Sequence, residues 1–221
     1  MKTATSGRSA WKARAVALAA WLAAGPASAY VSFGGVVDPQ PPFGETQFSG
    51  TVFRLGHLTP GAFGAVVVTE GSHLTAGGIH VHGGGLLVHD PGSFLDLAGA
   101  DRSVWAGWGN SGYINVHSGG QIRASGGCGI GQCDLLIGGT TGQPFQYAPG
   151  SSHPISIENG AKGDLVLWGS NSRITMDGTL RVAQAHVGSG SSAPQGLGGG
   201  GAAGVVNVHS GGVLTTGNAL L

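Results

Sequence analysis

The strongest constraint on this chain is that it copies itself. The thirteen residues from Gly112 to Ala124, GYINVHSGGQIRA, return from Gly204 to Thr216 as GVVNVHSGGVLTT, with identity at the opening Gly, the Asn-Val-His-Ser centre and the Gly-Gly pair. A segment repeated at fixed positions is one supersecondary unit used several times, and each unit completes its core only against its neighbours. The same frame fits Gly64 to Ala76 (GAVVVTEGSHLTA) without a gap. With the turn lengthened by one residue it also fits Gly84 to Leu97 (GGLLVHDPGSFLDL) and Gly163 to Met176 (GDLVLWGSNSRITM).

Inside a copy the pattern has a period of two. Ile114 and Val116 share one face, and Tyr113, Asn115 and His117 share the other, which is the signature of a half-buried strand. A turn rich in Gly, Ser, Asn or Pro follows, then a second apolar pair such as Leu95 with Leu97 or Ile174 with Met176. A third short run closed by Gly comes next: Val104 to Gly107, Leu135 to Gly138 and Ala185 to Gly188. Phe53 to Gly56 matches it as the tail of a first copy.

Copies open at Gly64, Gly84, Gly112, Gly163 and Gly204, so the shortest spacing is 20 residues and the longer ones contain insertions. Residues 142–154 (GQPFQYAPGSSHP) and 188–204 (GSGSSAPQGLGGGGAAG) read as inserted loops, because a central strand does not tolerate such Pro and Gly. Ile155-Ser156-Ile157 is a candidate strand of an additional, degenerate copy within the longest interval. Stacking is expected to place Val66, Leu87, Ile114, Leu165 and Val206 in one apolar ladder, and Val68, Val88, Val116, Leu167 and Val208 in the next. The expected fold is therefore all-β, a parallel β-helix (solenoid) with an irregular N-terminal cap and Gly-rich loop insertions. An antiparallel sandwich of hairpins competes, but it has no reason to repeat its sequence at the turns.

Composition decides between that reading and disorder. Gly supplies 45 of 221 residues and charged side chains only 9%, yet 41% of the chain is hydrophobic and alternates, which a disordered tract does not do. Residues 1–29 read as an export signal. Lys2, Arg8, Lys12 and Arg14 precede the short apolar stretch AVALAAWLAA, and Ala27-Ser28-Ala29 predicts cleavage before Tyr30. The apolar stretch is too short to span a bilayer. Four of the ten Lys and Arg lie in that segment. The remaining six face all ten Asp and Glu, a net charge of −4 with His neutral, so no basic footprint for nucleic acid or an anionic membrane is present. Tyr30 to Gly50, with three Pro and three Phe and no period, is expected to be an irregular lead-in that caps the first copy.

Few residues suggest chemistry. His80 and His82 would share one strand face about 7 Å apart, a distance at which two imidazoles can hold one ion. No Cys, Asp or Glu stands at matching spacing, so ordinary surface histidine is the simpler account and no metal or other cofactor is expected. His117 and His209 occupy one repeat position, filled by Thr69, His89 and Trp168 in the other copies, which makes it an outward ladder. Cys128 and Cys133 are expected to form a disulfide that staples a Gly-rich corner of an exported chain. Trp105, Trp108 and Tyr113, within WAGWGNSGY, are candidates for stacking on sugar rings, against the simpler alternative of core packing. For an enzyme, Asp90, Asp101, Arg102 and Arg123 are the available acid, base or charge-stabilising groups. No paired carboxylates, Ser/His/Asp arrangement or phosphate loop accompanies them.

GAVVVTEGSHLTA, GYINVHSGGQIRA, the closing LLIGG and the AHVGSG segment resemble repeats of secreted bacterial proteins with PEP-CTERM sorting signals, and are similar to β-strand repeats of autotransporter passenger domains. The resemblance covers Val52 to the end of the sequence. It implies a right-handed parallel β-helix, exported to the outside or surface of a Gram-negative cell and associated with exopolysaccharide, biofilm matrix or other cells. It carries over no catalytic residues. The family's C-terminal Pro-Glu-Pro motif, apolar helix and basic tail do not occur here, nor does a translocator barrel, which implies a truncated chain. The function expected is structural or adhesive and non-enzymatic, with a β-helical polysaccharide lyase or hydrolase as the alternative.

Overall fold

The computed structural model describes residues 30–56, 61–108, 111–124, 127–128, 132–141, 162–186 and 203–220. The expected export signal, Ile155 to Ile157, all of the first inserted loop (142–154) and most of the second (188–204) lie outside them. Among the described residues the fold is all-β, and no helix is long and apolar enough to cross a membrane.

The chain opens with β1 (Tyr30–Gly35), β2 (Val37–Asp38) and β3 (Gln47–Leu55), followed by the first full copy in β4 (Gly64–Thr69) and β5 (His73–Val81). The second copy is β6 (Gly84–His89), β7 (Phe94–Leu97) and β8 (Val104–Trp108). The third is β9 (Gly112–His117), β10 (Gln121–Ala124) and β11 (Leu135–Thr141). The fourth is β12 (Lys162–Trp168) and β13 (Arg173–His186), and the fifth β14 (Ala203–His209) and β15 (Val213–Leu220).

First strands of successive copies pair in parallel in the order β4, β6, β9, β12, β14, and β1 closes one edge of that six-stranded sheet by pairing antiparallel with β4. Second and third strands form two further parallel ladders in a second sheet, joined wherever one long strand supplies both. The lead-in is thus more regular than its aperiodic sequence suggests. Its backbone finds partners in β4 and β3, while Phe33, Phe48 and Phe53 pack with centroids 5.1 to 6.0 Å apart. Phe43, by contrast, is fully exposed.

The apolar ladders form with one correction. Val66, Leu86, Ile114, Leu165 and Val206 are in register, and so are Val68, Val88, Val116, Leu167 and Val208. Leu86, not Leu87, takes the inner place because Gly84 pairs with Gly64 and fixes the alternation from there. Copies open on Gly for a steric reason. A Cβ on Gly112 would sit 2.6 Å from Gly107 N, and one on Gly163 2.1 Å from Gly138 N, so the corner leaves no space for a side chain. Val116 and Leu167 are completely buried, whereas Val208 is 41% exposed because β14 is the last strand of its sheet.

Among the described strands β9 pairs directly with β12, and β10 and β11 with β13, while Ile155 to Ile157 lie outside the described residues. One more expectation changes. The closing run of the fourth copy is Leu180-Arg181-Val182, which pairs with Leu135-Leu136-Ile137; Ala185 and His186 pair further along with Thr140 and Thr141. β13 passes from second to third strand across a register shift between Met176 and Thr179, without the corner loop that separates β7 from β8.

Candidate functional site

The last outward position of each first strand is a register position, and the structure turns it into a stack of rings. His89, His117, Trp168 and His209 stand side by side on β6, β9, β12 and β14. Their centroids are 5.1, 4.9 and 6.3 Å apart and neighbouring planes differ by 13° or less. The first two distances match the spacing of hydrogen-bonded strands, so backbone pairing itself sets the stack. The rings cover one another's faces along the ladder.

Turns at the foot of the ladder hold the imidazoles. Ser118 and Ser210 adopt positive φ, each followed by a Gly that also does, and the chain reverses with Gly120 N donating to His117 O (2.9 Å) and Gly212 N to His209 O (3.0 Å). This brings Ser118 Oγ to 2.9 Å from His117 Nδ1 and Ser210 Oγ to 3.0 Å from His209 Nδ1. At the other end, His89 Nδ1 is 3.0 Å from Asp90 Oδ2, which also accepts from Thr69 Oγ1 (2.7 Å). Burial pushes the Asp90 carboxyl up, but hydrogen bonds from Thr69 and His89 outweigh it and hold the group below its ordinary value. His117 is held below the usual imidazole value by burial first and by neighbouring His89 second, against the pull of Asp90.

Beside the rings runs a second outward row, Val67, Leu87, Asn115, Val166 and Asn207. Asn115 Oδ1 is buried without a hydrogen-bond partner, and Asn207 is exposed. The ring ladder was visible in the sequence as a shared repeat position. Trp168 is what a residue-by-residue search for sugar-stacking aromatics misses, because no second aromatic stands near it in sequence.

The predicted glycan contacts do not form one surface. Trp105 lies outward on β8 in the second sheet and stacks on His80 at 3.7 Å and 1°, while Tyr113 lies outward on β9 in the six-stranded sheet, over Gly85. The Trp108 side chain is outside the described residues. Ring burial pushes the Tyr113 hydroxyl pKa up.

His80 and His82 are not the surface histidines expected, because both are buried. Nor do they stand as a pair: β5 stops at Val81, so the same-face spacing ends before His82, and His80 Nε2 is taken by Ser103 Oγ (3.0 Å) and Asp101 Oδ2 (3.2 Å). Among the described residues no group of three or more His, Cys, Asp and Glu is placed to hold a metal. Ser103, His80 and Asp101 are not a nucleophilic triad. Such a triad needs its Ser and Asp on opposite ring nitrogens, whereas here both share one, Ser103 donates to Asp101, and Ser103 is fully buried. The group stitches residues 98–103 to β5. Burial holds His80 below its ordinary value against the pull of Asp101. Asp101 itself is pushed up by burial but is held low by His80 and Ser103.

The other charged candidates are also engaged. Arg123 forms a two-pronged pair with Asp96 and lies over the Phe94 ring, and Arg102 Nη2 donates to Gly127 O (3.3 Å). Cys128 and Cys133 lie at disulfide distance, with Cα atoms 5.8 Å apart, and Cys133 N donates to Asp101 O, which ties that loop to the His80 group. No family model, curated protein or solved structure matches the chain.

Proposed function

We propose that the three parallel ladders are the walls of a right-handed parallel β-helix, and that the protein is a non-enzymatic repeat module exported to the cell surface or beyond. In this reading it serves a structural or adhesive role against exopolysaccharide or neighbouring cells, like the PEP-CTERM and autotransporter-passenger repeats that its sequence resembles. The observation that carries the reading is the in-register row from His89 to His209, an outward polar surface built by repetition and not by one pocket. Many weak contacts repeated along an axis give avidity without a deep cavity.

A polysaccharide lyase or hydrolase on the same framework is the competing reading. It would draw on Asp90, Asp101, Arg102 and Arg123, of which Asp90, Asp101 and Arg123 are bonded to Thr69, to His80 and Ser103, and to Asp96 respectively. Incubating the purified protein with polysaccharides, then assaying retention together with reducing ends and unsaturated products, separates the two. Retention of intact polymer is expected. Release of new ends or unsaturated sugars would replace the adhesive reading with the enzymatic one.

A further inference from the structure

The glycan-contact reading leaves open which surface binds and which class of polymer it selects. Two rows on the outward face of the six-stranded sheet answer both. The first is His117, Trp168 and His209; the second is Asn115, Val166 and Asn207. Neither row contains an Asp, Glu, Lys or Arg. Asp164 and Lys162 lie further along the same face of β12 and are of opposite sign. Along the two rows themselves a polyanion finds no fixed cation, and a nucleic acid finds none either.

What the face does offer is hydrogen bonding in both directions. Stacking covers the ring faces between His117, Trp168 and His209, so between these strands a ligand meets ring edges. The outer face of His209, on the last strand of its sheet, has no ring over it among the described residues. His117 and His209 each spend Nδ1 on the neighbouring serine, and their Nε2 atoms make no hydrogen bond among the described residues. Whichever tautomer the serine selects, Nε2 is a donor or an acceptor, and a hydroxyl complements either. Trp168 is 38% exposed and its Nε1–H, like the Asn207 amide, has no partner among the described residues. His117, Trp168 and His209 follow strand by strand along one line, at the spacing of about 4.8 Å that parallel pairing imposes, and Asn207 stands in the neighbouring row on the strand of His209.

We infer that the rows from β9 to β14 bind a neutral polysaccharide lying along the ladder, held by edge-on hydrogen bonds from His117, Trp168, His209 and Asn207 to sugar hydroxyls. This rests on the glycan-contact reading above and narrows it.

Affinity electrophoresis of the purified protein in gels containing hydroxyethylcellulose, alginate or heparin tests it at pH 7.5. The neutral polymer should retard the protein most. Trp168→Ala should weaken that retardation about tenfold and Asn207→Ala about threefold, while Thr215→Ala, exposed on the other sheet, should bind as the parent does. Trp168→Phe keeps a ring in the stack but removes the N–H, and should weaken binding about threefold, with circular dichroism confirming the fold of every variant. Stronger retardation by alginate or heparin, or parental binding by the Trp168 and Asn207 variants, would overturn this assignment and leave glycan contact standing. No retardation by any of the three polymers would overturn the glycan-contact reading and this inference together.

Discussion

Two imidazoles set how the molecule responds to acid. His80 and His117 are both held below the ordinary value, by burial first in each case. The unfolded chain takes up protons at these positions from about pH 6.5 downwards while the folded chain does not, so stability falls as pH drops through that point and stops falling below the depressed folded values. Asp90 and Asp101 act lower down. Their folded values are depressed, so their contribution is present above about pH 3.9, the unfolded carboxylate value, and is lost as pH falls through the folded ones. Asp164, whose folded value is raised by burial, works the other way and adds stability as pH falls. The imidazole part is therefore read by difference: between pH 7.5 and 5.0 the urea midpoint of the parent should fall by more than that of His117→Gln, and equal changes in the two contradict the assignment. Asn115 supplies an independent test. Its unpartnered buried oxygen costs about 1 to 3 kcal/mol, and the equivalent positions in two other copies are Val67 and Val166, so Asn115→Val should raise stability by about 1 kcal/mol in denaturant titration.

The Gly that opens each copy is the element most exposed to substitution. Gly112→Ala drives a Cβ to 2.6 Å from Gly107 N and 2.7 Å from Val81 O, and is expected to cost about 3 kcal/mol or more. Gly34→Ala meets nothing within 4 Å and should stay within about 0.5 kcal/mol of the parent. Thermal unfolding of the two variants checks the contrast, and equal losses would mean that the corner packing is not what demands glycine. At this scale the sequence was legible wherever one period ruled. β9 and β14 could be read from the alternation of Ile114 with Val116 and of Val206 with Val208, and their shared register from the identical Gly and Asn-Val-His-Ser. Leu86 and Leu87 could not be told apart, because two adjacent leucines satisfy either phase and only the Gly64 to Gly84 pairing selects one. The run from Ala185 to Gly188 matches the other third strands by its closing glycine, but β13 reaches its third-strand rung at Leu180 across the register shift between Met176 and Thr179, which a rule of matching ends does not see.

Across the whole molecule, local pattern foretold what repeats and missed what meets only in space. The apolar ladders and the outward ring position followed from repetition. The bond from His80 to Asp101 and Ser103, the stacking of Trp105 on His80 and the separation of Trp105 from Tyr113 onto different sheets depend on which strands become neighbours, which spacing along the chain does not encode. The central claim is that successive copies lie side by side in parallel, one strand spacing apart and in the register of their glycines. Paired cysteines measure this directly, because a disulfide requires Cα atoms about 4.4 to 6.8 Å apart. Asn115 faces Val166 across one spacing, while Asn207 lies two spacings from Asn115. Under mild oxidation, with peptide mapping by mass spectrometry, Asn115→Cys with Val166→Cys should cross-link and Asn115→Cys with Asn207→Cys should not. Cross-linking of the second pair without the first, or of neither, would contradict the stacked parallel arrangement on which the proposed binding face is built.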